Sequence, residues 1–547
     1  MELVAERIKK SLRLYKVPQK NCENQTFTYQ TRPAVDSHAD SILLSMATLL
    51  SRVQHNLYAD LCKGKTASEL KSSYLQIYKI TARHFNAIRV QLEGKIASIT
   101  EIQKLQIKED KQRISSLEKK IKQLQKRSGN EKLLHLKKRR LATLQSRLQK
   151  KEEDQKLGKT HLCFGSRKLF RKQFSLEANN YSSHSEWKKE WTDTREQSFF
   201  LIGSKDETAG NQSCVATFDG KTFSLKIRLP DALSEYGKYL VIPNVSFSYG
   251  HEAIVAALMS HLDADTKKSA VAISYRFLRD KKGWRVFLST SMQAPQKISR
   301  KDIGATGVDI NADHLAVVET DRYGNPIART SIPLCTYGSS RHQAKALIGD
   351  AAKSIIEWCV RTKKPVVLEK LTFGTKKSTL REEGNARYAR MLSSFAYSSI
   401  ISMIRARAYR FGIHVEEVNP AYTSIIGRVK FASRYGYSVH ESAALCIGRR
   451  YLGVSERLPR HRSIIPDGTG THVTLSLPER NRDRHVWASW RNVQQKLQKR
   501  CLQHKSRRLR SDPQARKILA CSDSTILNFV GEIPARESIT KLLGDRV

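Results

Sequence analysis

The sequence predicts a multidomain chain: a helical region, then a β region, then a closing α/β region. Three observations carry this. Apolar residues recur at helical spacing through 41–160, alternate with polar ones from about 160 to 300, and from 301 onward fall into alternating strand and helix patterns. A chain of 547 residues has room for about three to four domains.

Residues 1–40 combine a short basic helix, Leu3–Leu14, with TFTYQTRPAV, a β-branched and aromatic stretch that reads as a strand pairing elsewhere. ILLSMATLLSRVQHNLYADLC is apolar at helical spacing and reads as core. A highly charged segment follows, Ile99 to Lys156. Ile114, Leu117, Ile121 and Leu124 space as a coiled-coil seam, and Leu134, Leu141, Leu144 and Leu148 resume it after Gly129-Asn130. This predicts two antiparallel helices in a coiled-coil hairpin. Its cations, Lys119 and Lys120 among them, line the other faces, either as a solvated surface or as nucleic-acid contacts.

In the β region, TFSLKIRLP (Thr222–Pro230), KYLVIPNVSF (Lys238–Phe247) and the hairpin Ala272–Thr290 read as strands of a small barrel or sheet. Before them, Phe164, Phe170 and Phe174 interleave with Arg167, Lys168, Arg171 and Lys172. That pattern suits a nucleic-acid backbone with exposed bases, or else a basic strand edge with core phenylalanines.

Gly304–Leu334 opens the α/β region: a buried strand closed by Asp309, then a hairpin of His314–Asp321 and Pro326–Leu334 around a Tyr-Gly-Asn turn. Helix Arg341–Thr362 follows, with an apolar face of Ala344, Leu347, Ile348, Ala351, Ala352, Ile355, Ile356 and Cys359. Next come the buried strand Pro365–Leu371 carrying Glu369, a polar loop (Gly374–Ala386), a helix from Met391 to Phe411 and the strand Ile413–Pro420. A loop, AYTSIIGRVKFASRYGYS, precedes a helix beginning near His440. In the tail, Val486–Arg508 reads as a basic helix with Trp487, Trp490, Lys496 and Arg500, either packing or touching RNA or duplex, and Ser522–Val547 is less charged.

The formal net charge is +45. That excess implies a polyanionic partner, most simply nucleic acid. An anionic membrane is the other candidate, but no apolar run reaches the roughly 20 residues of a spanning helix, and the N-terminus shows no secretory apolar region. Nine scattered cysteines without a CxxC pair argue against zinc and fit a reducing compartment.

The chemistry concentrates on Asp309, Glu369 and the pair His440-Glu441, far apart in sequence but able to converge at one sheet edge. A Glu in a strand written VVLEKL is costly unless it is paired or metal-bound. Carboxylates bridging two Mg²⁺ ions suit phosphodiester hydrolysis; an ion pair with an arginine is the structural alternative.

The set GVDINADHLAVVETDRYGNP, PVVLEKL, VNPAYTS and SAALCIGRR resembles the split RuvC domain of transposon-associated TnpB proteins and type V CRISPR effectors. The resemblance covers 301–455. It implies an α/β RNase H-like (RuvC) nuclease domain there, an α-helical recognition lobe at 41–160, and a β-barrel wedge domain at 161–300 joined by residues 1–40, with 456–547 as a basic C-terminal extension. It implies a guide RNA, a target DNA cut beside a short duplex motif, a two-metal Mg²⁺ site and a prokaryotic cytoplasmic setting. Asp309 matches the family's first catalytic aspartate and Glu369 its glutamate.

Two departures follow. Where members carry two CxxC pairs, IIGRVKFASRYGYS stands instead, so no zinc is expected, and a shortened nucleic-acid-binding insert would present Arg428 and Lys430. Aligning Ser442–Ala444 puts His440 at the family's third acidic position, with Glu441 available if the register slips by one. The resemblance therefore implies an RNA-guided endonuclease completed by His440 or Glu441, or a nuclease-deficient RNA-guided DNA-binding repressor. An unguided resolvase shares the fold.

Overall fold

The computed structural model describes residues 25–126, 131–261, 270–292, 295–370, 397–459, 463–466, 472–477 and 485–511. The helix Leu3–Leu14, the Gly129-Asn130 break, the loop Gly374–Ala386, the helix start at Met391 and the tail Ser522–Val547 lie outside the described residues. The chain divides into two compact units, 1–294 and 295–547.

Unit 1 begins with strand β1 (Gln25–Thr31), followed by helices α1 (Ser37–Cys62), α2 (Ala67–Tyr78), α3 (Ala82–Lys126) and α4 (Glu131–Lys156). Asp36 caps α1 by accepting from the Ala39 amide at 2.7 Å. The expected hairpin is α3 against α4, with Leu117, Ile121 and Leu144 buried and Ile114, Leu134 and Leu141 packed around them. Gln103 reaches the Lys151 carbonyl while Leu117 and Ile121, further along α3, pack with Leu144, earlier on α4, so the helices run antiparallel.

The short helices α5 (Arg167–Lys172) and α6 (His184–Glu196) come next. The expected strand edge at the interleaved phenylalanines is corrected here: that stretch is helical, with Leu169 rather than Phe170 or Phe174 in the core. Ser166 accepts from the Leu169 amide, an N-cap that starts the helix.

The β region of unit 1 holds β2 (Ser198–Leu201), β3 (Cys214–Phe218), β4 (Phe223–Arg228), β5 (Tyr239–Val245), helix α7 (His251–Met259), β6 (Ile273–Asp280) and β7 (Gly283–Met292). The N-terminal strand pairs as the sequence suggested, β1 lying antiparallel to β7. Among the described residues the strands form two separate sheets, ordered β1-β7-β6-β2 and β3-β4-β5, instead of a closed barrel. Each has a regular inward alternation, so each buries one face without closing on itself.

Unit 2 is built on strands β8 (Ala305–Ile310), β9 (His314–Thr320), β10 (Pro326–Pro333), β11 (Val366–Glu369) and β12 (Val415–Val418), in the order β10-β9-β8-β11-β12. The β10-β9-β8 meander is antiparallel, and β8, β11 and β12 run parallel. A three-strand antiparallel meander thus continues into two parallel strands reached by crossovers. The Asp321 side chain accepts from the Tyr323 and Asn325 amides and Gly324 takes φ +81°, which sets the β9–β10 turn.

Helices α8 (Arg341–Thr362) and α9 (Tyr397–Arg410) cover one face of the sheet, packing Ile348, Ile355, Ile356, Ile400 and Ile404 on Val308, Val317 and Leu368. Leu347, expected on the buried face of α8, is exposed: it lies at the margin of the apolar stripe. The other face is covered by α10 (Thr423–Gly427), a π-helical turn at Arg428–Ala432, α11 (Val439–Tyr451) and α12 (Val486–Ser511). The expected loop at 421–438 is therefore largely helical. Ile426, Val429 and Phe431 drive this by joining the core under Ala316 and Val318. In the tail, a two-stranded β13 (Ser463–Pro466) and β14 (His472–Leu475) and the first turns of α12 feed the same core through Ile465, Leu475, Trp490 and Val493.

Candidate active site

Asp309 stands one residue from the end of β8, with Val308 and Ile310 turned to the α8–α9 face. Alternation sends Asp309 to the α11 face. On β11, Leu368 faces α8–α9 and Val367 joins the α11-side cluster with Ala305 and Ile447. Glu369 therefore shares Asp309's face. The parallel ladder pairs Val366 with Thr306 and Val367 with Gly307. The ladder ends there; Asp309 lies two residues further along β8 and Glu369 two further along β11, on the same face of neighbouring strands. Both carboxylates are buried, Asp309 8% and Glu369 9% exposed.

What brings α11 over them is the loss of side chains beneath it. A Cβ on Gly307 would meet the Ala444 carbonyl oxygen at 2.0 Å, and one on Gly427 would meet Ser442 backbone at 2.6 Å. Glycine at both positions lets β8, α10 and the small-residue start of α11 touch through backbone. The first turn of α11 thus lies at the carboxyl end of β8, where ligands bind in open α/β sheets.

There the two residues of the His440-Glu441 pair separate. His440 Nδ1 lies 3.2 Å from Asp309 Oδ2. An ionised carboxylate only accepts, so this bond requires the proton on Nδ1. The Glu441 carboxylate instead accepts from the Ser438 amide at 2.8 Å and from Arg329 at 2.9 Å, closing a capping box with Ser438. Its charge goes to the helix N-terminus and Arg329.

Four neighbours had not been singled out from sequence. Asn311 donates to Asp309 Oδ2 at 3.1 Å, and the His314 ring lies 4.9 Å from that of His440. Thr423 donates to Glu369 Oε1, which ties the start of α10 to the site. Arg450 donates to the Asn419 and Ala421 carbonyls; burial lowers its pKa, and Cys446, Glu369 and Glu456 oppose that shift. All four lie inside the quoted motifs, but nothing in the sequence marked His314 or Arg450 as neighbours of the carboxylates.

Asp309 and Glu369 supply hard oxygen donors of the kind Mg²⁺ takes. Among the described residues no three His, Cys, Asp or Glu side chains converge on a point suited to a metal ion. The donor chemistry fits a divalent cation, with His440 held on Asp309.

The candidate nucleic-acid contacts scatter. Lys119, Arg167, Lys168 and Arg171 are exposed, and Lys120 is half-buried. Lys172 Nζ lies 3.2 Å from the Tyr181 hydroxyl. Arg428 is half-buried on the π-helical turn. Lys430 pairs with Glu456, which also binds Arg449, so its ammonium serves the core rather than the surface. In the tail, Trp490 donates to the Glu456 carbonyl at 2.9 Å as a fully buried packing residue.

No protein-family model matches the sequence, and no curated protein matches it. Among solved structures, the chain is similar to a Cas12f1–sgRNA–target DNA complex at 14% identity and TM-score 0.30, covering 78% of this chain and 99% of that one. It is also similar to T. thermophilus RuvC with a Holliday junction substrate, at 14% identity and TM-score 0.20 over 28% of this chain and 99% of that one. A Cas12i–crRNA–dsDNA complex overlaps at 10% identity and TM-score 0.28, covering 65% and 60%. Overlaps of this size carry no argument about activity, which rests on the chain's own residues.

Proposed function

We propose that the chain is an RNA-guided DNA endonuclease that cuts beside a short duplex motif, with the cut made at the carboxyl ends of β8 and β11. One observation carries this: Asp309 and Glu369 are both buried on the α11 face near the carboxyl ends of the paired strands β8 and β11, with His440 on Asp309. Two carboxylates buried on one face at neighbouring strand ends suit a bound divalent cation, which would offset their charge. Asp309 and Glu369 would hold Mg²⁺, which when bound supplies a Lewis acid for the scissile phosphate and a nucleophilic water. Asn311 and His440 fix the Asp309 carboxylate, and Thr423 fixes that of Glu369. Net charge +45 supplies the electrostatic attraction for guide and target, so binding weakens steeply with salt.

A second reading is favoured by the histidine at the third position and by the lack of a three-donor cluster among the described residues: a nuclease-deficient RNA-guided DNA-binding repressor. The deciding experiment purifies the protein with its RNA, sequences that RNA, and adds matched DNA with Mg²⁺ beside an Asp309→Ala control. A discrete RNA with cleavage lost in the control supports the nuclease. Binding without product supports the repressor. Absence of RNA removes both readings.

A further inference from the structure

The three-stranded sheet of unit 1 has a face that the proposed cut site does not use. Its inner face, Ala216, Leu225, Ile227, Leu240 and Ile242, is buried. Its outer face carries Lys226 and Arg228 on β4 and Tyr239 and Val241 on β5, in a register that sets Arg228 opposite Tyr239 and Lys226 opposite Val241. β5 is an edge strand of this sheet. Tyr239 is 43% exposed and Val241 52%, so the edge shows an aromatic and an aliphatic side by side.

Three cations gather on that one ring. Lys226 Nζ lies 4.4 Å from the Tyr239 centroid, Lys238 Nζ 5.8 Å and the Arg228 guanidinium carbon 5.9 Å. Asp231 answers Arg228 at 2.6 Å; among the described residues neither Lys226 nor Lys238 forms an ion pair. A single ring attracts a cation by about 0.5–1 kcal/mol at an exposed site, which does not explain three. A polyanion laid across this face would meet all three cations at once. Phosphates satisfy the cations, and an unpaired base satisfies the exposed ring; a duplex, whose bases are stacked inside, offers the ring nothing.

We propose that the outer face of β3-β4-β5 is a platform for an unpaired stretch of RNA, one base stacking on Tyr239 and the flanking phosphates lying on Lys226, Lys238 and Arg228. The choice of RNA rests on the proposed function, in which the chain carries a guide.

The test uses the full chain with the RNA that copurifies. Ultraviolet crosslinking and mass spectrometry should place a nucleotide adduct on Tyr239. Binding of the same labelled RNA should weaken about tenfold in Tyr239→Ala and stay within about twofold in Tyr239→Phe, because stacking and not the hydroxyl is used. Lys226→Gln should reduce the salt slope by about 0.7. Tyr239 is exposed, so unchanged thermal unfolding confirms that the variants fold. Crosslinks only elsewhere, wild-type affinity in Tyr239→Ala, equal binding of DNA of the same sequence, or displacement of the RNA by an acidic peptide each overturn the platform while leaving guide binding intact. Failure of the wild type to hold any RNA overturns the proposed function itself.

Discussion

Two buried carboxylate sites lie toward opposite ends of the central strands of unit 2. At the amino end of β11, Glu319 accepts from Lys364 at 2.6 Å and from the Trp358 indole at 3.2 Å, and Lys364 also donates to the Thr320 carbonyl at 2.8 Å. Glu319 is 8% exposed and Lys364 5%. At the carboxyl end, Asp309 and Glu369 are equally buried on one face of neighbouring strands, met by Asn311, His440 and Thr423. Burial is the same and the partners differ. One site neutralises its charge internally with a lysine; the other is the proposed cation site.

The comparison breaks first at Asp309. Asp309→Ala should lower DNA cleavage by about a thousandfold or more, since a metal's stabilisation of several kcal/mol is lost, with melting temperature held or raised. A variant that cleaves as the wild type would make the carboxyl-end site structural as well. Next is Lys364→Met, which strands Glu319: stability of unit 2, read by hydrogen exchange at β8 and β9 amides, should fall by about 3–5 kcal/mol, and adding Glu319→Leu should recover most of it. Loss of cleavage without loss of stability would give the amino-end pair a functional role.

Gly307→Ala probes the scaffold between the two sites. Its Cβ would fall 2.0 Å from the Ala444 oxygen, so about 3 kcal/mol of stability should be lost as α11 lifts, and cleavage should fall as His440 leaves Asp309. Normal cleavage would disconnect α11 from the site.

A neutral buried group extends the comparison into unit 1. His84 is 1% exposed between Thr81 and the Arg228 carbonyl, and burial pushes its pKa down to about 4. The unfolded chain, with the ordinary value of about 6.5, binds the proton more readily. Stability from this group is therefore complete above about pH 6.5, falls as pH drops, and is lost below about 4. Unfolding titrations should show that window narrowed in His84→Gln; an unchanged profile would assign the acid sensitivity elsewhere. The smallest effect is expected at Glu441: Glu441→Ala should cost about 1 kcal/mol through the lost cap and ion pair with cleavage retained. Loss of cleavage matching Asp309→Ala would return Glu441 to the metal site.

Much of this was legible in the chain. The coiled-coil seam, the β9–β10 turn and helix Arg341–Thr362 are local patterns, written in apolar spacing and turn chemistry, and the structure has them. The barrel and the loop at 421–438 were not. Whether alternating strands close depends on partners distant in sequence, and the apolar residues of 421–438 become helical because the sheet face above needs covering. Lys430 read as a free surface cation because its partner, Glu456, lies 26 residues away across a helix.

The sequence alone determined strands β8 to β12 and helices α8, α9 and α11, the polyanionic bias of the chain and the candidacy of Asp309 and Glu369, because periodicity, net charge and a carboxylate in an apolar strand need no knowledge of neighbours. Only the tertiary structure decided between His440 and Glu441. The two are adjacent in sequence, but a helix turns successive side chains by about 100°, and the position of α11, set by backbone contact at Gly307 and Gly427, fixed which of them meets Asp309.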